Sequence, residues 1–242
     1  MLGVTASWSG QNLQKFGPRK LALIGAFLYA FGYIISYFAL QNESLWLLYF
    51  GYGIVGGIGL GLAYVTPVAT VSKWFPDKQG LVTGMVVMGF GLGALLMSKL
   101  LAPIFLEYFE KDLAKTFLAI GITLLVLLPF FANFLNLPTE EKSTEISAEK
   151  LSATKEILSP NFIFIWLIFM FNVVAGMIFI SFQSPLLQDL LKAENVNIDT
   201  ATLEKSGATL IAISALFNGL GRFFWGSISD KLGRVTTFRL LL

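Results

Sequence analysis

The stretch ILSPNFIFIWLIFMFNVVAGMIFISFQSPLLQ, residues 157–188, contains no Asp, Glu, Lys, Arg or His. About 20 apolar residues suffice for a helix to cross the hydrocarbon core of a bilayer, so a charge-free run of this length predicts a membrane span. Working outward, further charge-free runs occupy residues 21–42, 44–72, 79–98 and 116–139, and a sixth at 206–229 is interrupted only by Arg222. The fold class expected is therefore all-α, a polytopic membrane protein with six full transmembrane helices and partial ones. Residues 1–14 are also uncharged but too short to cross, and a new apolar stretch begins after Arg239. The chain thus reads as cut at both ends.

Composition agrees with a bilayer setting. Of the 242 residues, 55% are hydrophobic and only 13% charged, and the mean hydropathy of +0.73 is far above that of a chain with a water-facing surface. A formal charge of +2 is too weak a bias for nucleic-acid binding. The chain has no cysteine and no histidine, which excludes disulfides, Cys/His metal sites, thiol catalysis and a histidine base. An enzyme embedded in the spans would need a nucleophile with a base, or a metal cluster. The spans offer no His, Cys, Asp or Glu for either, so no enzyme, metal or cofactor is expected.

The basic residues alternate in density from loop to loop. Lys15, Arg19 and Lys20, then Lys73 and Lys78, then Lys142, Lys150 and Lys155, then Lys231, Arg234 and Arg239 share one side. The intervening loops hold Lys111, Lys115, Lys192 and Lys205 with eight acids. The lysine- and arginine-rich side is expected to be cytoplasmic. Trp46 and Trp74 near the ends of the second span suit the headgroup level.

A charged segment, residues 139–159, divides the chain and reads as a cytoplasmic linker between two sets of spans. Such a joint suits a transporter built from two repeated halves. An internal repeat supports this reading. Gly10-Gln-Asn-Leu-Gln-Lys-Phe-Gly-Pro-Arg-Lys20 recurs as Gly226-Ser-Ile-Ser-Asp-Lys-Leu-Gly-Arg234, so that Gly, a basic residue and Gly coincide at Gly10/Gly226, Lys15/Lys231 and Gly17/Gly233.

The pattern Gly, three residues, Asp, a basic residue, one residue, Gly, a basic residue resembles the loop of the major facilitator superfamily that follows helix 2 in one half and helix 8 in the other. The resemblance implies an N-terminal half at 1–138 (end of helix 2, helices 3–6) and a C-terminal half at 160–242 (helices 7–8, start of helix 9). It also implies a conformational, gating role for Gly10, Lys15, Gly17, Arg19, Gly226, Asp230, Lys231, Gly233 and Arg234. The first copy places Gln14 where the second has Asp230, and so lacks the carboxylate that a charge-based lock would use. Physically, these charged residues fit either contacts to helix ends that break and reform, or a tight anchored turn at the membrane surface.

Lys73-Trp-Phe-Pro-Asp-Lys-Gln-Gly80, and Phe171-Asn-Val-Val-Ala-Gly176 followed by Ser184-Pro185, resemble the oxalate/formate antiporter family, a relative of the monocarboxylate transporters. This resemblance implies transport of a small carboxylate anion by alternating access, secondary active or facilitative. It further implies an integral membrane protein of a bacterial or archaeal inner membrane, surrounded by lipid and monomeric when complete. The alternatives are a facilitator of another organic solute, with Arg222 structural, and a non-functional fragment.

Arg222 is the charged residue of greatest interest. An arginine inside a span costs about 3 kcal/mol or more, so it is expected to face a cavity or a partner. Its planar fork suits a carboxylate. It also lies roughly 12 Å along the axis from Asp230, close enough to snorkel to the cytoplasmic surface. The resemblance assigns the first role, since the family's substrate-binding arginine on helix 8 precedes the loop glycine by four residues, as Arg222 precedes Gly226. Asn218, one turn earlier on the same face, is the second candidate binding residue. In the monocarboxylate relatives an aspartate commonly stands there and takes part in proton coupling, whereas Asn218 cannot ionise. With no Asp or Glu inside the expected spans, exchange or uniport is favoured over proton symport.

The glycines at 53, 57 and 61, at 80 and 84, and at 89 and 93 recur every fourth residue and are expected to line helix faces where neighbours approach. Lys99 is expected to snorkel to the outer headgroups. Tyr64, Asn172 and Gln183 fit either a polar path or hydrogen bonds between helices.

Overall fold

The structure, a computed structural model, describes residues 1–138, 159–195 and 197–241. The expected linker, with Lys142, Lys150 and Lys155, lies outside them except for Ser159. The described residues form helices α1 (Leu2–Phe16), α2 (Pro18–Gln41), α3 (Leu45–Trp74), α4 (Pro76–Tyr108), α5 (Leu113–Ala132), α6 (Pro160–Glu194), α7 (Thr200–Leu232) and α8 (Arg234–Leu241). Helices α2 to α7 are the six long and apolar enough to cross a membrane, matching the five charge-free runs and the sixth that only Arg222 interrupts. The runs understate the helices: α4 continues through Lys99 to Tyr108, with a wider π-type turn at Met97–Leu101.

Local chemistry sets the ends. Ser44 accepts a hydrogen bond from the Leu47 N–H (3.4 Å) before α3, and Asp112 from the Lys115 N–H (3.0 Å) before α5. Ser159 accepts from the Phe162 N–H (3.3 Å), with Pro160 at the first helical position of α6. Each cap satisfies an N–H that the helix itself cannot.

By their contacts the described residues fall into two compact units, one comprising residues 1–138 with 215–241, the other those from 159 to 214. In the first, α2 packs against α3 and α5 through small side chains, the buried set including Ala22, Gly25, Ala26, Ala30, Gly32, Ser36 and Ala39. A Cβ on Gly32 would come within 2.7 Å of the Gly56 Cα, and one on Gly25 within 2.8 Å of the Ala63 N. Lipid tails are as apolar as leucine, so this close backbone packing, not the burial of large side chains, holds such helices together. The large residues point outward instead, among them Phe27, Phe31, Phe38, Phe130 and Phe131. Buried hydroxyls bond back to their own helix, as Thr66 does to the Leu62 carbonyl and Thr70 to the Thr66 carbonyl, both at 2.6 Å.

The second unit holds α6 and the first part of α7. Gln183 of α6 is 4% exposed and its carbonyl accepts the Ser214 hydroxyl of α7 at 2.6 Å. Gly207 lies against Ser184, leaving no room for a side chain. Among the two readings of Gln183, a hydrogen bond between helices is the one this geometry shows. From Phe162 to Phe182 no described side chain of α6 is buried.

Candidate functional site

The two copies of the repeated loop adopt the same turn. Gly17 ends α1 with φ 77° and Gly233 ends α7 with φ 82°, the left-handed region that favours glycine. The Gly17 N–H donates to the Leu13 carbonyl and the Gly233 N–H to the equivalent Ser229 carbonyl, at 2.9 and 3.1 Å. In both copies a new helix starts at the next residue, Pro18 or Arg234.

The copies differ in what they hold. Asp230 reaches the start of α4, where its carboxylate accepts the Gly80 N–H and the Leu81 N–H, both at 2.8 Å. Pro76–Lys78 is a 3-10 turn and the α-helical part of α4 begins at Gln79, so these are first-turn N–H groups of the α-helix, where the positive end of its dipole lies. The carboxylate is thus a cap supplied by a different helix. Close approach makes it possible: a Cβ on Gly80 would overlap the Gly226 carbonyl and the Asp230 carboxylate, and one on Gly226 the Gly80 carbonyl. Arg234 Nη2 adds a hydrogen bond to the Gln79 Oε1 at 2.9 Å. In the first copy Gln14 is exposed. There Arg19 hydrogen-bonds Asn133 just past α5, its Nε lying 3.0 Å from the Oδ1, and Lys15 lies over the Phe16 ring at 5.5 Å.

Gly84 and Gly91 continue the α4 contact with α7, meeting Arg222 backbone atoms and Gly219. Gly57 and Gly61 of α3 pack on α1 in the same way. The four-residue pattern is not followed throughout, because Gly53, Gly89 and Gly93 face open space; on α4 it is Gly91 that packs.

Beside the Asp230 cap lies a cavity of about 370 Å³ lined by Ser72, Gln79, Gly80, Thr83, Gly84, Val87, Arg222, Gly226, Ser229 and Arg234. It joins the end of α3, the start of α4 and the end of α7, with Arg234 brought in by the reversal at Gly233. Its polar lining is two guanidiniums, three hydroxyls and one amide. Among the described residues no carboxylate lines it. Ser72 Oγ and Thr83 Oγ1 are 3.2 Å apart, and the Ser72 hydroxyl is also 2.9 Å from the Val68 carbonyl. Among the described residues the Arg222 guanidinium has no hydrogen-bond or salt-bridge partner. An arrangement of two arginines and hydroxyl donors, with the neighbouring Asp230 carboxylate already engaged by the Gly80 and Leu81 N–H groups, can bind an anion, most strongly one that accepts two parallel hydrogen bonds from an arginine.

Of the residues singled out from sequence, Arg222, Gly226 and Arg234 meet at this cavity, and Asp230 sits at its edge through the Gly80 contact. Asn218 and Lys231 are exposed and do not line it. Gly10, Lys15, Gly17 and Arg19 belong to the other copy. Ser72, Thr83 and Ser229 escaped the sequence reading because uncharged hydroxyls on apolar helices carry no signal of their own. Gln79 closes the Lys73–Gly80 stretch without an assigned role, and Gly80 is expected there only as a packing glycine. Tyr64 packs edge-on against Phe90 at 4.9 Å, and Asn172 is exposed.

The sequence profile described as Major Facilitator Superfamily matches residues 2–242. An oxalate:formate antiporter of Oxalobacter formigenes is 28% identical over 96% of the chain and 52% of its own length. The apicoplast pyruvate carrier 1 of Toxoplasma gondii is 25% identical over 93% of the chain and 50% of its own length. Monocarboxylate transporter 14 of Mus musculus is 30% identical over 43% of the chain and 20% of its own length. The chain spans about half the length of the first two relatives.

Proposed function

Because the chain belongs to the Major Facilitator Superfamily, and so to a family of integral membrane transporters, we propose that the protein carries small carboxylate anions across its membrane by alternating access. The observation that carries this reading is the cavity lined by Arg222, Arg234 and three hydroxyls without a carboxylate. Relatives named for oxalate and formate, pyruvate and monocarboxylates support the same substrate class. Arg222 grips one carboxylate through its fork, while Asp230, capping α4, holds the cavity's walls together in the state described.

Asp230 lies in the terminal turns of α7 and is engaged by Gly80 and Leu81. Among the described residues the interior of the spans offers no other carboxylate near Arg222 to serve as a proton carrier, which supports exchange or uniport over proton symport. Asn218, exposed one turn from Arg222, is assigned to the substrate path at a point outside the cavity.

The reading is tested on the protein reconstituted in liposomes, with oxalate, formate and lactate flux normalised to inserted protein. Arg222 is exposed in the structure, and closure around a bound carboxylate would bury the pair; removing one partner of such a pair costs on the order of 2 to 5 kcal/mol, so Arg222→Gln is expected to nearly abolish flux, and Arg222→Lys, which keeps the charge without the fork, to fall between. Wild-type flux per molecule in Arg222→Gln would remove Arg222 from the site.

A further inference from the structure

A second cavity, of about 380 Å³, lies between the end of α6 and the start of α7 and is lined by Leu187, Lys205, Ser206, Thr209, Leu210 and Ile213. All six belong to one compact unit. Close contact between the two helices builds it. A Cβ on Gly207 would overlap the Ser184 hydroxyl and come within 2.9 Å of the Gln188 amide nitrogen, and the chain neighbours of that contact, Ser206 and Leu187, line the opening.

The lining is graded along α7. Positions 205, 206, 209, 210 and 213 share one helical face. The Lys205 ammonium and the Ser206 and Thr209 hydroxyls come first, then Leu210 and Ile213, with Ile213 about 12 Å along the axis from Lys205. A bilayer is graded in the same direction. From Pro160 to Leu187, α6 covers about 40 Å, more than the roughly 30 Å of a hydrocarbon core, so this end of the two helices stands at the headgroup level of the leaflet opposite Pro160. Among the described residues the Lys205 ammonium has no ion-pair partner and no carboxylate lines the cavity, since Asp189, Glu194 and Glu204 are exposed outside it. The Thr209 hydroxyl is committed to the Lys205 carbonyl at 2.7 Å, which leaves Ser206 as the hydroxyl that meets a ligand oxygen.

We propose that this cavity binds an anionic phospholipid, with the phosphate at Lys205, a headgroup hydroxyl at Ser206 and the first acyl methylenes along Leu187, Leu210 and Ile213. The lining selects a headgroup whose remainder is uncharged, such as phosphoglycerol. A phosphocholine or phosphoethanolamine group would bring a second cation to a cavity that already holds one and offers no carboxylate to meet it. The lipid touches both helices, and so braces α6 against α7 beyond the Gly207 contact.

The test is thermal unfolding of the purified protein in a neutral detergent, titrated with dioctanoyl phosphatidylglycerol, dioctanoyl phosphatidylcholine or inorganic phosphate, reading the concentration that half-saturates stabilisation. Phosphatidylglycerol is expected to act at about fivefold lower concentration than phosphatidylcholine, the difference one lysine makes to an anionic headgroup at a membrane surface. Lys205→Gln should raise the phosphatidylglycerol value about fivefold and leave phosphatidylcholine within about twofold. Lys205→Arg should stay within about twofold of the unaltered protein for both lipids, and with the lipid comparison it decides the matter if Lys205→Gln does not fold. Lys192→Gln, at an exposed lysine of α6 outside the cavity, should change neither value.

The proposal is overturned if the two lipids act at equal concentration, or if Lys205→Gln and Lys192→Gln weaken phosphatidylglycerol alike, which would reduce the effect to general surface charge. Stabilisation by inorganic phosphate at the concentrations that suffice for phosphatidylglycerol, lost in Lys205→Gln, would make this a site for free phosphate and remove the lipid from it.

Discussion

The two copies of the repeated loop close in the same way and differ in what they hold. Leu13 to Gly17 and Ser229 to Gly233 make the same closing hydrogen bond, glycine takes the same left-handed turn, and a helix restarts at once. Yet the second copy inserts a carboxylate into the start of α4, while the first, with Gln14 exposed, reaches only Asn133 through Arg19. The backbone repeat is thus preserved by two glycines, and the interaction it supports is decided by one side chain, Asp230, and by whether a helix start lies within its reach.

The largest effect is expected where that reach depends on missing side chains. Gly80→Ala would drive a methyl group into the Gly226 carbonyl and the Asp230 carboxylate, and should cost about 1–3 kcal/mol with loss of transport. Gly89→Ala on the same helix meets nothing within 4 Å and should stay within about 0.5 kcal/mol. Thermal unfolding in detergent compares them, and equal losses would show that the α4–α7 contact does not hold the site.

The asymmetry between copies is probed next. Asp230→Ala removes two charge-assisted hydrogen bonds at a helix start and should lower stability by about 2 kcal/mol. The reciprocal change, Gln14→Asp, should do almost nothing, because Gln14 is exposed on α1. A matching stabilisation by Gln14→Asp would mean that the first loop also faces a helix start.

The equivalence of the two turns has its own test. Gly17 combines φ 77° with ψ 152°, a region nearly closed to other residues, and Gly233 has φ 82°. Gly17→Ala and Gly233→Ala should each cost about 1–2 kcal/mol, measured in the same way. Strongly unequal values would break the repeat at the level of the backbone.

The smallest effect concerns the opposite ends of the helices. The Lys115 N–H holds the Asp112 carboxyl below the usual aspartate range, and bonding to Thr202 does the same for Asp199. A depressed folded-state value means that the caps contribute fully above the unfolded carboxylate range and are lost as pH falls through the lower folded value. Thermal stability should therefore dip slightly below about pH 4, and Asp112→Asn with Asp199→Asn should remove that portion of the dip.

Much of the fold was legible because its causes are local. Charge-free runs located α2 to α7, since a bilayer requires apolar residues at every face of a span. They missed the end of α4 because Lys99 interrupts the run without interrupting the helix. Glycine spacing indicated close packing, but not which glycines would meet a neighbour: Gly84 packs whereas Gly89 and Gly93 do not. That distinction depends on where α7 lies, and no property of α4 alone contains it.

By itself, then, the sequence determined the six apolar helices, the two glycine turns and the presence of an arginine in a span, because hydropathy and φ preference act within a few residues. Only the tertiary structure decided that Asp230 would cap Gly80 and Leu81, some 150 residues away, and that Ser72, Thr83, Ser229 and Arg234 would join Arg222 around one cavity. A carboxylate binds whichever unsatisfied N–H groups come within about 3 Å. Which ones do is settled by how closely two helices can approach, and here that distance is set by the absence of a side chain at Gly80 and Gly226.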